Sequence, residues 1–359
     1  MKQIKPMFLL SAVLFCVAAC KKSGTDNNTP VRYTKIEYTG ATYFSEARYY
    51  LAAAATGNKI VFAGGRGSSL PPSKTVDIYD VSTNAWTIAQ LSEARFLFSA
   101  AATGNKIVFA GGYNGTAYSK TVDIYDVSAN TWAITQLSET RSSAASAAGG
   151  NKIVFAGGYN GTAATKTVDI YDVSTNTWTN AQLSEARYNF SAAAAGNKIV
   201  FAGGYNGTAA TKTVDIFDVS TNAWTTAQLS EARYFLSGAA TDNKIVFAGG
   251  SPAPAVASKT VDIYDVSTNV WTTAQLSEAR YFLSAAAVSN KIVFGGGNTG
   301  AAYSKTADIY DVAANSWTIS LLGEARALLS AAGTGNKILF AGGQGTSPSK
   351  TVDIFTLSK

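Results

Sequence analysis

Short apolar runs alternate with turn residues along the chain from about residue 32 to its end. Val, Ile, Tyr, Phe and Thr dominate the runs, while Gly, Asn and Ser separate them, as in the turn Thr56-Gly57-Asn58. These compositions are typical of β-strands and of the hairpin turns that join them. The pattern predicts four short antiparallel strands in each copy. In the first copy the four runs are residues 49–55, 59–63, 75–81 and 86–91.

The whole pattern repeats seven times at a step of 46 or 47 residues. A Gly-Gly pair and a Trp keep this step, although the seventh copy has no Trp. One four-stranded sheet of this size cannot bury its own faces, so the copies must stack around an axis. The sequence therefore predicts an all-β fold, a seven-bladed β-propeller with four-stranded antiparallel blades. A segment close to Leu-Ser-Glu-Ala-Arg recurs at the same step, with its Arg at Arg48, Arg95, Arg141, Arg187, Arg233, Arg280 and Arg326.

The last copy lacks its fourth strand. It begins at Arg326 and stops at Lys359, just after the predicted strand at residues 352–355. A strand-like stretch that belongs to no copy, residues 32–43, precedes the first copy. We predict that this N-terminal stretch supplies the outer strand of the last blade and closes it, because pairing there covers an otherwise free sheet edge.

The repeat resembles the kelch motif, in which a Gly-Gly doublet ends a hydrophobic strand and an aromatic residue and a Trp follow. In the first copy these positions are Gly64-Gly65, Tyr79 and Trp86. The resemblance covers residues 32–359 and implies a kelch-type propeller that binds a partner on the face with the variable loops. WD40 repeats have a similar period but expect Gly-His and Trp-Asp pairs, which this sequence lacks.

The N-terminal residues have the pattern of an export signal. Lys2 and Lys5 precede an apolar run at residues 7–19, which is shorter than the ~20 residues that a transmembrane helix needs. The run ends Val17-Ala18-Ala19-Cys20, which resembles the lipobox of bacterial lipoproteins and implies a lipid on Cys20. An ordinary signal peptide, with Cys20 incidental, is the alternative. We expect a lipoprotein signal peptide at 1–19, a flexible lipid-anchored tether at 20–31 and the propeller at 32–359.

This N-terminus predicts an exported protein, anchored by lipid in the bacterial cell envelope. The outer membrane is the favoured location, and the side that the protein faces is left open. The signal and tether also account for much of the formal net charge of +6. Lys2 and Lys5 leave with the signal, Lys21 and Lys22 lie beside the anchor, and the repeats are nearly balanced in charge. We therefore expect a nearly neutral propeller without a nucleic-acid partner.

The sequence contains no histidine. Imidazole bases, His metal ligands and Ser-His-Asp triads are excluded, and so is the copper site of galactose-oxidase relatives that the kelch resemblance would otherwise suggest. The repeated Asp-Val-Ser-Thr-Asn segment, as at residues 80–84, has too few carboxylates for calcium. We interpret the repeated Asp and Lys residues as turn caps and cross-strand pairs. We expect no catalytic residue, no cofactor and no metal.

The candidate ligand-binding residues lie on one predicted face. Because strands alternate in direction, the loops after the Gly-Gly pairs and the segments that end in the repeated Arg emerge on the same side, and these loops are where the copies differ most. A salt bridge to the Glu two residues earlier or to a neighbouring blade is the alternative for each Arg, and a simple turn is the alternative for each Tyr-Asn pair. The candidates are Arg48, Arg66, Arg95, Tyr113, Asn114, Arg141, Tyr159, Asn160, Arg187, Tyr205, Asn206, Arg233, Arg280 and Arg326.

Three functions are compatible with this sequence. The leading one is a monomeric, non-enzymatic envelope module that recognises a protein or a glycan through the variable loops. A carbohydrate enzyme similar to sialic-acid mutarotase is an alternative, since it would use Arg and a carboxylate. However, nearly all the carboxylates are copies of a few repeat positions, which rarely provide the two different environments that acid–base catalysis requires. A purely structural envelope protein is the third possibility.

Overall fold

The computed structural model describes residues 32–68 and 71–359, which form 28 strands in seven four-stranded antiparallel sheets. The predicted signal peptide and tether, residues 1–31, lie outside the described residues. Within the described ranges no helix is long and apolar enough to cross a membrane. The fold is the predicted seven-bladed β-propeller.

Each blade begins at the propeller axis with a strand of small residues. Each of these strands contacts the first strands of both neighbouring blades, and the ring closes between the last and the first blade. Ala, Ser and Gly line the central channel because seven strands converge there, as at Ala53, Ala55 and Gly238. The first strands are β2 (Ala52–Thr56), β6 (Ser99–Thr103), β10 (Ala145–Gly149), β14 (Ser191–Ala195), β18 (Ser237–Thr241), β22 (Ser284–Val288) and β26 (Ser330–Thr334).

The second strand of each blade is covered on both faces by neighbouring blades. Ile60 and Phe62 of the first blade, for example, share a buried cluster with Leu339 of the seventh. The sequence of these strands is accordingly a continuous apolar run rather than an alternating one. They are β3 (Lys59–Ala63), β7 (Lys106–Ala110), β11 (Lys152–Ala156), β15 (Lys198–Ala202), β19 (Lys244–Ala248), β23 (Lys291–Gly295) and β27 (Lys337–Ala341).

The third and fourth strands carry the aromatic pair of each repeat. Tyr79 and Trp86 face each other across the two strands with ring centroids 5.0 Å apart, and both pack toward the preceding blade. The third strands are β4 (Thr75–Asp80), β8 (Thr121–Asp126), β12 (Thr167–Asp172), β16 (Thr213–Asp218), β20 (Thr260–Asp265), β24 (Thr306–Asp311) and β28 (Thr351–Ser358). The outer strands are β5 (Ala85–Gln90), β9 (Thr131–Gln136), β13 (Thr177–Gln182), β17 (Ala223–Gln228), β21 (Val270–Gln275), β25 (Ser316–Leu321) and β1 (Lys35–Tyr43).

The N-terminal strand closes the last blade. β1 pairs antiparallel with β28, so the order of that sheet is β1-β28-β27-β26. Tyr38 lies opposite Phe355, in the register that Trp86 and Tyr79 have in the first blade. The two rings meet edge to face with centroids 5.8 Å apart. Tyr38 therefore takes the place of the Trp that the seventh copy lacks, and the predicted closure is confirmed.

The residues before β1 pack against the sixth blade. Asn290, in the turn between β22 and β23, accepts a hydrogen bond from the Tyr33 N–H at 3.0 Å and donates one to the Tyr33 carbonyl oxygen at 3.2 Å. Tyr33 covers Asn290, which is only 3% exposed. This turn lies on the side of the propeller opposite the segments that connect the blades. The described chain therefore enters the propeller on that side.

The repeated turns use their Asp as predicted. The Asp80 carboxylate accepts hydrogen bonds from the main-chain N–H groups of Ser82 and Thr83 and pairs with Lys59 at 2.6 Å. In the first blade the strand boundaries differ from the sequence prediction by at most one residue, except that the first strand begins at Ala52 rather than at residue 49. Its preceding residues leave the sheet and form part of the site described next.

Candidate ligand-binding face

Two kinds of segment meet on one side of the propeller, which we name the loop face. They are the Gly-Gly loops between second and third strands and the segments that connect the blades. Tyr49 and Arg66 pair across them through two main-chain hydrogen bonds of 3.0 Å. The hydroxyl of Ser73 donates to Glu46 at 2.6 Å. The prediction that these segments share one face is confirmed.

The repeated arginines lie beneath the loop face. The Arg187 guanidinium donates from Nη2 to Asp215 at 2.5 Å and to the Phe201 carbonyl oxygen at 3.2 Å. Its Nη1 donates to the carbonyl oxygen of Thr213. Burial lowers the pKa of Arg187 to about 10, although Asp215 opposes this change, so the side chain stays charged at neutral pH. Arg and Asp form a buried ion pair inside the blade.

The same pair occurs in every blade, and the side chains of these arginines are only 0–1% exposed. A guanidinium without exposed surface cannot contact a ligand. The prediction that these arginines bind a ligand is therefore corrected, because they stabilise the interior of the blades. Their closest acidic partner is this Asp rather than the expected Glu two residues earlier, which lies 3.9 Å from Arg48, although in the seventh blade Glu324 also pairs with Arg326 at 2.8 Å. The pairs are Arg48–Asp77, Arg95–Asp123, Arg141–Asp169, Arg187–Asp215, Arg233–Asp262, Arg280–Asp308 and Arg326–Asp353.

The main chain of the same arginines joins neighbouring blades. The Arg233 carbonyl oxygen accepts a hydrogen bond of 2.9 Å from the N–H of Gly204, and its own N–H donates to Thr211 at 3.2 Å. Gly203 has a φ of 70°, and a Cβ there would lie 2.5 Å from the Arg233 carbonyl oxygen. Only glycine permits this approach. The repeated Arg, Asp and Gly-Gly thus form one unit that fixes each blade to the next.

The loop asparagines hold the variable loops in shape. Asn114 donates to Glu93 at 2.7 Å and accepts from the N–H groups of Thr116 at 3.0 Å and Ala117 at 2.8 Å. Burial raises the pKa of Glu93, but hydrogen bonds from Ser119 and Asn114 outweigh burial and lower the pKa overall. This carboxylate is therefore ionised at neutral pH, and it accepts hydrogen bonds from the loop.

The turn interpretation explains two of the three predicted asparagines completely. Asn206 makes the same kinds of hydrogen bond as Asn114, with Glu185 as its acceptor at 2.9 Å. Asn160 also accepts from two main-chain N–H groups, but its amide nitrogen has no partner among the described residues. The expectation that Asn114 and Asn206 bind a ligand is corrected, because their polar atoms are used within the loop.

A continuous arc of aromatic rings crosses the loop face through six of the seven blades. Each ring centroid lies 4.0–6.3 Å from the next. All of these side chains except Phe96 are half-buried, which leaves part of each on the surface. The aromatic arc consists, in order, of Tyr49, Tyr50, Phe96, Tyr113, Tyr118, Tyr159, Tyr188, Tyr205, Tyr234, Phe235, Phe282 and Tyr281.

The inner edge of the arc surrounds the mouth of the central channel. In each blade the second residue after the repeated Arg has a φ of 52–58° and donates its N–H to the equivalent residue of the preceding blade. Left-handed backbone favours glycine, yet three of these positions hold Tyr50, Phe235 and Phe282. Because all seven positions share this backbone, it belongs to the repeated connection between blades, and only the side chain varies. The other four are Leu97, Ser143, Asn189 and Leu328.

The structure keeps five of the predicted residues in a position to bind, and one of them is Asn160, whose amide nitrogen is unpaired among the described residues. Tyr113, Tyr159 and Tyr205 belong to the arc, and the Arg66 guanidinium lies 5.1 Å from the ring centroid of Phe96. The remaining arc residues were missed from the sequence, although the two positions after each repeated Arg vary between copies and could have drawn attention. In the part of the chain that the structure describes, no three His, Cys, Asp or Glu side chains are grouped to hold a metal ion.

Seven four-stranded blades around a channel, with variable residues on a constant frame, define the class of the protein as a β-propeller. The family model described as "KLHDC2/KLHL20/DRC7 Kelch-repeats domain" matches residues 27–186, 98–278 and 189–358. These overlapping matches span nearly the whole propeller, and the chain belongs to the kelch-repeat family. A comparison with curated proteins found no match.

Proposed function

We propose that this kelch propeller is a non-enzymatic binding module that recognises a protein or a glycan on its aromatic arc. The arc is the observation that carries the proposal. Tyr side chains give a rigid contact surface at low conformational cost, and each ring also offers a hydroxyl group. Tyr50, Phe235 and Phe282 extend the same surface to the mouth of the central channel.

The alternative of a mutarotase-like enzyme receives less support. Such chemistry would need an accessible Arg beside an accessible carboxylate. The seven repeated arginines are buried in ion pairs, and the Glu side chains of the connecting segments accept hydrogen bonds from loop hydroxyls, as Glu46 does from Ser73. Arg66 stands on the loop face and forms no ion pair with a carboxylate of the described residues. This geometry favours binding over catalysis.

We also propose that the protein is a lipoprotein anchored through Cys20 in the bacterial envelope. The described chain enters the propeller next to Asn290, on the side opposite the loop face. The first described residues therefore lie on the other side of the propeller from the aromatic arc.

Replacing Cys20 is expected to release the protein from the membrane. In a bacterium that processes lipoproteins, the unchanged chain should partition into a detergent phase and incorporate labelled fatty acid, because Cys20 carries the lipid. The Cys20→Ser variant should do neither. Cys16→Ser, which changes the other cysteine, is the matched control and should behave like the unchanged chain. Lipid incorporation by Cys20→Ser would contradict the assignment.

Removing three arc tyrosines is expected to abolish ligand binding without unfolding the propeller. A soluble chain from residue 32 should capture its ligand from an envelope extract or a glycan array. The variant with Tyr113→Ala, Tyr159→Ala and Tyr205→Ala should bind it at least about tenfold more weakly, because large aromatic side chains dominate such contacts. Thermal melting should be nearly unchanged. Tyr303→Ala, on the same face but outside the arc, is the matched control, and equal binding by the triple variant would refute the site.

A further inference from the structure

We infer that the ligand of the aromatic arc is an uncharged oligosaccharide chain, which lies along the arc with its sugar rings against the tyrosines. This inference rests on the proposed function and selects one of its two ligand classes. Three observations carry it: the near absence of charge on the arc, the free tyrosine hydroxyls, and the track-like course of the rings across the blades.

The inner part of the loop face is almost uncharged. Three positions of each blade form it: the two residues after the repeated Arg and the residue after Gly-Gly. Arg66 is the one charged side chain among these described positions. The other charged side chains of this side are exposed lysines at the start of the third strand, such as Lys74, and partly exposed glutamates of the connecting segments, which accept hydrogen bonds from loop hydroxyls as Glu46 does from Ser73. An ionic ligand would therefore find its partners outside these positions, whereas the arc itself suits a neutral ligand.

Some tyrosine hydroxyls on the arc are free to bond a ligand, and others donate within their own loop. Tyr159 and Tyr205 donate their hydroxyls to nearby main-chain oxygens, at 3.3 Å and 2.9 Å. The hydroxyls of Tyr188 and Tyr234 make no hydrogen bond within the described structure. Burial and the neighbouring tyrosines raise the pKa of Tyr188, so its hydroxyl is protonated and can both donate and accept at neutral pH. A sugar chain supplies matching hydroxyl groups at every unit.

The arc offers a continuous path for a chain rather than a closed pocket. From Phe96 to Tyr234 the neighbouring ring centroids are 5.0–5.7 Å apart without interruption. Sugar C–H groups are attracted by the electron-rich face of an aromatic ring, so such a path can hold several successive sugars. At the seventh blade the equivalent positions are Ala327 and Gln344, which leaves the arc open there. The ligand is therefore extended and its ends are free to leave the face.

Titration with defined oligosaccharides tests the inference. The full-length protein, solubilised in a detergent without a sugar headgroup, is titrated calorimetrically with cellohexaose, maltohexaose and mannohexaose, and with an oligogalacturonate as the charged comparison. At least one neutral probe should bind, with an affinity that changes less than about twofold between about 0.05 M and about 0.5 M salt. Tyr188→Ala should weaken that binding about tenfold, Tyr188→Phe by less, and Tyr303→Ala not at all.

Two results would overturn the inference. One is that no neutral probe binds, and the other is that Tyr188→Ala binds the neutral probe like the unchanged protein. A photo-crosslinking residue at position 188 in living cells separates the remaining cases. A crosslinked polypeptide without glycan binding would refute the oligosaccharide and leave the proposed binding module standing. No crosslink and no glycan binding would refute both.

Discussion

Replacing Arg187 with methionine is expected to lower the free energy of unfolding by about 3–5 kcal/mol. The substitution leaves the Asp215 carboxylate buried without its positive partner, and a buried unpaired charge is far more costly than a lost surface contact. It also leaves the carbonyl oxygens of Phe201 and Thr213 without their guanidinium donor. Methionine fills a similar volume, so the loss reports on charge and hydrogen bonding rather than on a cavity.

Urea unfolding of the single and double variants measures this effect. The denaturant midpoint should fall while the slope stays the same, which indicates a change in stability alone. In the double variant Arg187→Met/Asp215→Asn the unpaired charge is gone and an amide oxygen can still accept the Ser184 N–H, so stability should partly return. Arg66→Met, on the surface, is the control and should cost at most about 0.5 kcal/mol. A loss below about 1 kcal/mol for Arg187→Met would contradict the structural role of the pair.

The architecture was predictable from the length of the repeat and the number of strands in it. Four strand patterns in a step of 46 or 47 residues require radial stacking, and a seventh copy without a Trp requires a strand from elsewhere. The N-terminal stretch was the strand available for this role. Its place was confirmed down to Tyr38, which occupies the position of the missing Trp. Repeats make such inference reliable, because every copy tests the same assignment.

The role of the repeated arginines was not predictable in the same way. The nearest acid in sequence, two residues earlier, was the natural candidate for a salt bridge. In the structure Arg187 reaches Asp215, which is 28 residues further along the chain and on the third strand of the same blade. Only the folded blade brings these side chains together. A contact inside each blade repeats seven times, just as a ring of surface residues would. Repetition alone therefore does not distinguish the two.

The aromatic arc was not predicted from the sequence, for a related reason. All its members except Tyr118 are one or two residues beyond the repeated Arg, or directly after Gly-Gly, so that within one copy they are separated by a full hairpin. They become neighbours through the main-chain pairing of loop and connecting segment, as between Tyr188 and Tyr205, and through contact between blades. The constant residues build the frame, and the residues that differ between copies form the surface on that frame.

The frame and the surface should therefore respond differently to mutation. Changes in Arg, Asp or Gly-Gly act on the contacts between and within blades and should reduce stability in any copy. Changes in the arc should act mainly on binding, because these side chains, except that of Phe96, are only half-buried and lie outside the buried clusters. Closure of the last blade is a third kind of contact, and it depends on the single strand β1.

A chain that begins at residue 44 is expected to melt about 10 °C or more below a chain that begins at residue 32. The deletion removes β1, uncovers the edge of β28 along its whole length, and exposes Phe355 and Leu357, against which Tyr38 and Ile36 pack. It also removes Tyr33 from Asn290. Deleting residues 1–31 alone is the matched control for truncation, and differential scanning calorimetry provides the melting temperatures.

Adding the strand back as a separate peptide distinguishes the loss of blade closure from a general effect of truncation. A synthetic peptide of residues 32–43, added to the chain that begins at residue 44, should raise its melting temperature in a concentration-dependent way, because it binds the folded edge of β28. The same peptide with Tyr38→Ala should rescue less, since it lacks the ring that contacts Phe355. Equal melting of the two truncated chains would contradict closure by β1. Rescue that is independent of Tyr38 would show that main-chain pairing, rather than the Trp-like position, holds the strand in place.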